Sequence, residues 1–233
     1  MSGPVRIVVF GATGTAGSAV VRQCLADERI AEVRAITRRP VGIGHPKLRD
    51  IHCHDFAHPE SIAHQLTGVD VCLFCLGTGR RRAGSTAAYR EVTLTYPLVA
   101  ADILRERSPD HTFVHLSAFG ADPAGRSLLT YARVKGEAES QLADNGIKRL
   151  FVARPGYIRP APERRGRGVG AVLGRAFYPA VSATLPALVI EATELARGMI
   201  EAALGDEPGR VLRNRDLRAL AARHPDAVTP AQH

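Results

Sequence analysis

The chain has 233 residues, 45% of them hydrophobic, and 31 Lys and Arg against 23 Asp and Glu give a formal charge of +8. That length suits one α/β domain with a short C-terminal extension, and no apolar run reaches the roughly 18 residues of a membrane span. The basic balance raises nucleic acid as a partner. However, the arginines are scattered apart from Arg80-Arg81-Arg82 and Arg164-Arg165-Gly166-Arg167, and no recognised nucleic-acid module accompanies them.

The N-terminus enters an apolar run directly, with no basic segment, long apolar region or small-residue cleavage pattern, so a cytoplasmic protein is expected. Val5–Phe10, bounded by Pro4 and Gly11, predicts a central strand of a parallel sheet covered on both faces. From Thr15 to Ala26 the pattern turns helical, with Val20, Val21, Cys24 and Leu25 on one face, and Val33–Thr37 reads as the second strand of a β-α-β unit. The alternation continues with a strand around Ile51–His54, a helix near Pro59–Leu66, a strand at Val71–Leu76 and a long helix over about Thr86–Arg107. A strand at Thr112–Leu116, a helix over about Leu128–Asp144 and a strand at Arg149–Ala153 follow, the last closed by Pro155-Gly156. Asn145-Gly146 suits a left-handed helix cap. The expected fold class is therefore α/β, a Rossmann-type doubly wound parallel sheet. Beyond it a Gly- and Arg-rich loop over Pro160–Gly168 precedes predicted helices at 169–178 and 192–204.

Three of the four cysteines, Cys24, Cys53, Cys72 and Cys75, lie in or beside apolar runs, which implies buried thiols rather than a disulfide framework. Cys72 and Cys75 have zinc-like spacing, but a strand sends positions three apart to opposite faces and no second pair exists. His52, His54 and His58 lack a carboxylate or cysteine set to complete a site, so no metal is expected.

The loop Gly11–Gly17 follows a strand and opens a helix. In that context small residues let backbone N–H groups and the helix N-terminus approach phosphate. Gly11, Thr13, Gly14, Thr15, Ala16 and Gly17 are the candidate pyrophosphate-binding residues of a nicotinamide dinucleotide. About twenty residues further on, an NAD site would place a carboxylate against the ribose hydroxyls. This chain has Arg38 and Arg39 there, which can pair with a 2′-phosphate, so NADP(H) is the expected cofactor.

Tyr131 and Lys135 are four apart on a predicted helix and share a face. A free tyrosine titrates near 10, and a fixed cation beside it favours the phenolate, giving a usable general acid for carbonyl reduction. Ser117 ends the strand before that helix, at the sheet edge where ligands bind, and could orient a substrate oxygen.

The glycine loop, the two arginines, the serine and the Tyr-x-x-x-Lys pair together resemble the short-chain dehydrogenase/reductase superfamily. Within it the chain is similar to the atypical branch that contains the Tat-interacting protein oxidoreductase, with NmrA-like NAD(P)-binding proteins behind it. The matching segments are Gly11–Gly14, Arg38-Arg39, Phe74–Thr78, Ala83-Gly84, Gly120–Asp122, Tyr131–Glu137 and Arg154–Gly156, in order over about two thirds of the chain. The resemblance implies Leu76 and Gly77 beside the cofactor, Tyr131 as proton donor, Lys135 bonding the nicotinamide ribose and Ile158 near the nicotinamide end. Two departures stand out. Many relatives have two serines where this chain has Ser117-Ala118, and Thr93 occupies a position where related enzymes often carry Asn or Asp.

The expected organisation is a single NAD(P)-binding domain over 1–222, with 157–204 as its short helical substrate-side segment, and a polar, disordered tail over 223–233. The expected function is NADPH-dependent reduction of a small carbonyl or related electrophile, with a small-molecule substrate and no membrane partner. The alternative is a non-catalytic NADP(H)-sensing regulatory protein that binds a protein partner, which the Ser117-Ala118 departure would suit.

Overall fold

The computed structural model describes residues 3–161 and 186–224. Seven strands form one sheet in the order β3-β2-β1-β4-β5-β6-β9, every neighbouring pair parallel. They are β1 (Val5–Phe10), β2 (Ile30–Thr37), β3 (Leu48–His52), β4 (Val71–Phe74), β5 (Thr112–Leu116), β6 (Arg149–Arg154) and β9 (Val211–Arg213). The winding reverses at β1, flanked by β2 on one side and β4 on the other. That reversal opens a crevice at the carboxyl ends of the strands, the usual ligand edge of such sheets.

Both faces of the sheet are covered, which is why β1 from Ile7 onward and β4 read as unbroken apolar runs. Ile7 and Val9 pack on one face with α1 (Thr15–Ala26), α6 (Ala192–Leu204) and α7 (Asn214–Ala221). Val8 and Phe10 pack on the other with the 3-10 segment Glu60–Leu66, α4 (Tyr96–Arg107) and Leu142 of α5 (Thr130–Asp144). Phe10, Phe74 and Phe113 stack in series across β1, β4 and β5, with ring centroids 5.2 and 6.0 Å apart. Cys72 and Cys75 fall in opposite cores, and burial pushes the Cys75 thiol up to about 12.

Several elements depart from the pattern-based expectations. β3 begins earlier than the predicted strand, and the segment expected as a helix at 59–66 is a 3-10 turn. The long helix over 86–107 is continuous but not uniform. A short α3 (Thr86–Arg90) passes through a π turn at Glu91–Thr95 into α4, preceded by one turn, α2, at Arg80–Ala83. Strands β7 (Tyr157–Arg159) and β8 (Val189–Glu191) pair in parallel as a separate two-stranded sheet. These two, β9 and α7 have no counterpart among the predicted elements; the three-residue strands are too short to show a period, and α7 spans barely two turns. Gly146 takes φ +87°, the left-handed cap expected after α5. The predicted helix at 169–178, most of the Pro160–Gly168 loop and nearly all of the 223–233 tail lie outside the described residues.

α5 carries the Tyr-x-x-x-Lys pair, and one glycine sets how closely it docks. A Cβ on Gly136 would lie 2.0 Å from the carbonyl carbon and oxygen of Asp122. Asp122 in turn donates its N–H to Ala132 of the same helix at 2.9 Å. Backbone cannot yield as a side-chain tip can, so Gly136→Ala is expected to destabilise the protein by about 1–3 kcal/mol through overpacking. A lowered urea midpoint at unchanged m-value would show this; an unchanged midpoint would mean that the Asp122 loop gives way freely.

Candidate active site

The glycine loop is shaped by contacts to its own backbone. Gly11 sits at φ +78°, and a Cβ there would come within 2.6 Å of the Leu76 nitrogen, so the turn presses against the end of β4. Gly17 is closed from the other side, since its Cβ would meet the Gly11 carbonyl oxygen at 2.1 Å. Gly14 donates its N–H to that same oxygen at 2.9 Å. Ala16 and Gly17 are buried, while Thr13, Gly14 and Thr15 are exposed at the tip. α1 therefore opens towards solvent with no side-chain cap and no acidic residue in its first turn. Such a helix start, with its unpaired N–H groups and positive dipole end, suits a pyrophosphate.

Arg38 and Arg39 are exposed just past β2. Arg38 is near enough to Tyr96 of α4 for its charge to oppose the burial that raises that phenol. The one carboxylate close in register, Asp50, is already used, accepting from the Thr37 hydroxyl at 3.0 Å and from the Val41 N–H at 2.6 Å. Leu76 stands against Gly11 and the exposed Gly77 follows it, both at the expected edge. Ile158 lies in β7 opposite Ile190, half-buried against the core shared with α1.

Tyr131 is 37% exposed, and its hydroxyl lies over Gly120, where an added Cβ would be 2.9 Å from the phenolic oxygen. Lys135, one turn on, is half-buried and donates to the Leu116 carbonyl at 3.4 Å. Burial lowers its pKa to about 8 despite the opposing pull of Glu139. Glu139 is the next residue on this i,i+4 stripe and is 5% exposed. It takes both oxygens to the Arg154 Nε at 3.0 Å and also receives the Ser117 hydroxyl. Ser117 thus points its hydroxyl at Glu139, which ties α5 to the ends of β5 and β6.

Two further groups stand close by. His115, two residues before Ser117, is 1% exposed, and neither ring nitrogen has a hydrogen-bond partner among the described residues. Burial, and then Lys135, push its pKa down to about 3, so the ring is neutral. Tyr89 is buried, hydrogen-bonded to Thr93, and raised by burial and by the neighbouring Tyr131. The π turn carries Thr93 to this position, against the helix that holds Tyr131.

This arrangement has relatives. A family model described as NAD(P)H-binding matches residues 11–171, most of the chain. The chain belongs to the NAD(P)H-binding family. It is an atypical short-chain dehydrogenase/reductase of the branch that includes Protein HTATIP2 of Rattus norvegicus, to which it is 30% identical over 74% of this chain and 69% of the other. It is also 29% identical to "Protein FMP52, mitochondrial" of Coccidioides immitis over 72% of each chain. Among solved structures, a Burkholderia cenocepacia short-chain dehydrogenase in complex with NADP has a TM-score of 0.65 at 17% identity, covering 98% of this chain and 99% of that one. Streptomyces venezuelae DesIV, a dTDP-glucose 4,6-dehydratase with NAD and TYD bound, gives 0.68 at 17% identity, covering 94% of this chain and 80% of that one.

As a member of this family the protein has a nicotinamide-binding, oxidoreductase-type fold. Glu139, His115 and Tyr89 are not among the sequence-based candidates, and Arg154 enters there only as the start of the matching segment Arg154–Gly156. Glu139 carried a usable signal, since it continues the Tyr131-Lys135 spacing by four more residues. His115 stands inside the apolar run Thr112–Leu116, which marks its burial but not its lack of a hydrogen-bond partner among the described residues, and Tyr89 carried no local signal.

Lys135 holds its proton less tightly in the folded chain than in the unfolded one. Between about pH 8 and pH 10.5 the unfolded state therefore binds more protons, and this residue's contribution makes stability rise with pH. Lys135→Met is expected to be about 1–3 kcal/mol more stable than the parent at pH 7, with the advantage shrinking across that window. Denaturant melts at pH 7 and pH 10 test this, and a variant less stable at pH 7 would refute it.

Proposed function

We propose that the protein is an NADPH-dependent reductase of small carbonyl compounds. The observation that carries this reading is the alignment of Tyr131, Lys135 and Glu139 on one face of α5, with the phenol over Gly120 at the carboxyl edge of the sheet. The loop Gly11–Gly17 would hold the pyrophosphate, and Arg38 and Arg39 would take the 2′-phosphate of the cofactor. When bound, the reduced nicotinamide supplies a hydride for the carbonyl carbon.

Tyr131 supplies the proton for the carbonyl oxygen. The residue is 37% exposed at the carboxyl edge of the sheet, which would let a substrate oxygen reach the hydroxyl and a proton return from water. Lys135, while protonated, stabilises the phenolate that the transfer leaves behind. Ser117 and Arg154 do not touch the reacting atoms in this scheme. They hold Glu139, and Glu139 favours the charged form of Lys135 against its burial.

Because the ammonium is present below about pH 8 and lost above it, kcat/KM for reduction is expected to fall as pH rises through that value. Tyr131→Phe should lower kcat by about 10²–10⁴-fold while leaving NADPH binding measurable. If the variant turns over every accepted substrate at the parental rate, the proton donor is another group. Arg38→Asp should reduce the preference for NADPH over NADH by about tenfold or more in fluorescence titrations, because a charge-assisted partner becomes a repulsive one. An unchanged preference would remove the argument for NADP(H).

A further inference from the structure

A cavity of about 320 Å³ lies at the carboxyl ends of β5, β6 and β9. This is within the range of about 300–1,000 Å³ typical of small-ligand sites. Its wall includes Phe119, the residue before the Gly120 on which the Tyr131 hydroxyl rests, and Leu188. Among the described residues it also includes four arginines, Arg154, Arg213, Arg215 and Arg218, and no carboxylate. Two of the four are committed: Arg154 to Glu139, and Arg218 to Glu194 at 3.4 Å and to the Val189 carbonyl. Arg213 and Arg215 are exposed, and neither side chain is ion-paired with a carboxylate among the described residues. Asn214 between them fixes their backbone, accepting from the Gly156 N–H at 3.2 Å and donating to the Ala187 carbonyl at 2.8 Å. The result is a small cavity with an exposed aromatic ring, an aliphatic wall and two available guanidinium groups at one end.

We propose that this cavity seats a carboxylate carried by the carbonyl substrate, with Arg213 and Arg215 binding the anion and Phe119 and Leu188 covering an apolar body. This rests on the reductase reading and names the substrate class: an apolar aldehyde or ketone bearing a carboxylate. Guanidinium forks match planar carboxylates with paired donors. Among the described residues the wall carries no counter-charge, which leaves that anion as the natural partner of the two arginines.

The test compares 4-carboxybenzaldehyde with benzaldehyde as substrates of the full chain with NADPH, in the parent and in Arg213→Gln/Arg215→Gln. Calorimetric binding of 4-(hydroxymethyl)benzoate to the NADP-loaded protein is measured in parallel. The parent should prefer the carboxylated aldehyde at least tenfold in kcat/KM, and the double variant should lose at least tenfold of that preference and of the affinity for the carboxylated alcohol. Arg105→Gln/Arg107→Gln, two exposed changes at the end of α4 outside the cavity, should alter neither and so control for the loss of two charges. Preference and affinity that survive the double substitution overturn the proposal. Inorganic phosphate competing as well as the carboxylated alcohol overturns the carboxylate assignment. If neither aldehyde is reduced, the reductase reading fails for these compounds while the calorimetry still decides the cavity. If both are reduced equally and the alcohol does not bind, the reading stands and the cavity assignment falls.

Discussion

The geometry of the candidate site depends on one buried carboxylate. Glu139 takes Arg154 from the end of β6 and Ser117 from the end of β5 onto a single side chain of α5. A charge removed from water is tolerated only when paired and hydrogen-bonded, and here the guanidinium and hydroxyl supply both. The pairing fixes the rotation of α5 about its axis, because the three partners lie on different elements. Lys135 and Tyr131 inherit their direction from it, being one and two turns back on the same stripe. Replacing both partners by apolar groups could give an equally stable core, but it would remove the buried polar reference that joins this helix to the ends of β5 and β6.

Most of the framework was legible from patterning because the central strands are buried on both sides. β1, β4 and β5 are apolar runs bounded by turn residues, and helix α1 shows its buried stripe as plainly. The boundaries of α6 could also be read directly as 192–204. What could not be read depends on pairing between distant segments. β9 is three residues long and becomes a strand only because β6 offers an edge, through Val152, Ala153 and Arg154, to Val211, Leu212 and Arg213. Thr93 illustrates a different limit. Its residue type is legible, but a π turn is a one-residue change in helical winding that leaves no periodic trace in so short a segment. Ser117 is the instructive case among the candidate residues: its place at the strand end was readable, whereas the partner of its hydroxyl was set by a glutamate 22 positions later.

The carboxyl edge of the sheet divides into two chemical districts. Around β1, β2 and β4 it offers backbone N–H groups and two exposed arginines, features suited to phosphates of a long, extended ligand. Around β5, β6 and β9 it offers a phenol, a tuned lysine and the arginine-bearing start of α7. The fold alone does not choose a function, since sheets of this type host many. The choice lies in side chains that project from strand ends into the crevice, and those vary without disturbing the stacked Phe10, Phe74 and Phe113 beneath them.

The open start of α1 has an energetic consequence for the whole molecule. At the head of α3 the Ser85 hydroxyl accepts from the Ala88 N–H, a side-chain cap that α4, α5 and α6 lack. α1 has no such arrangement, and a side-chain cap is worth about 1 kcal/mol. A phosphate ligand would take the place of that missing cap, so binding and folding are thermodynamically linked. At a hundred times its dissociation constant, such a ligand adds about 2.7 kcal/mol to stability. The loop Gly11–Gly17 would then couple cellular cofactor concentration to the lifetime of the folded chain, giving one short turn a role in protein persistence as well as in recognition.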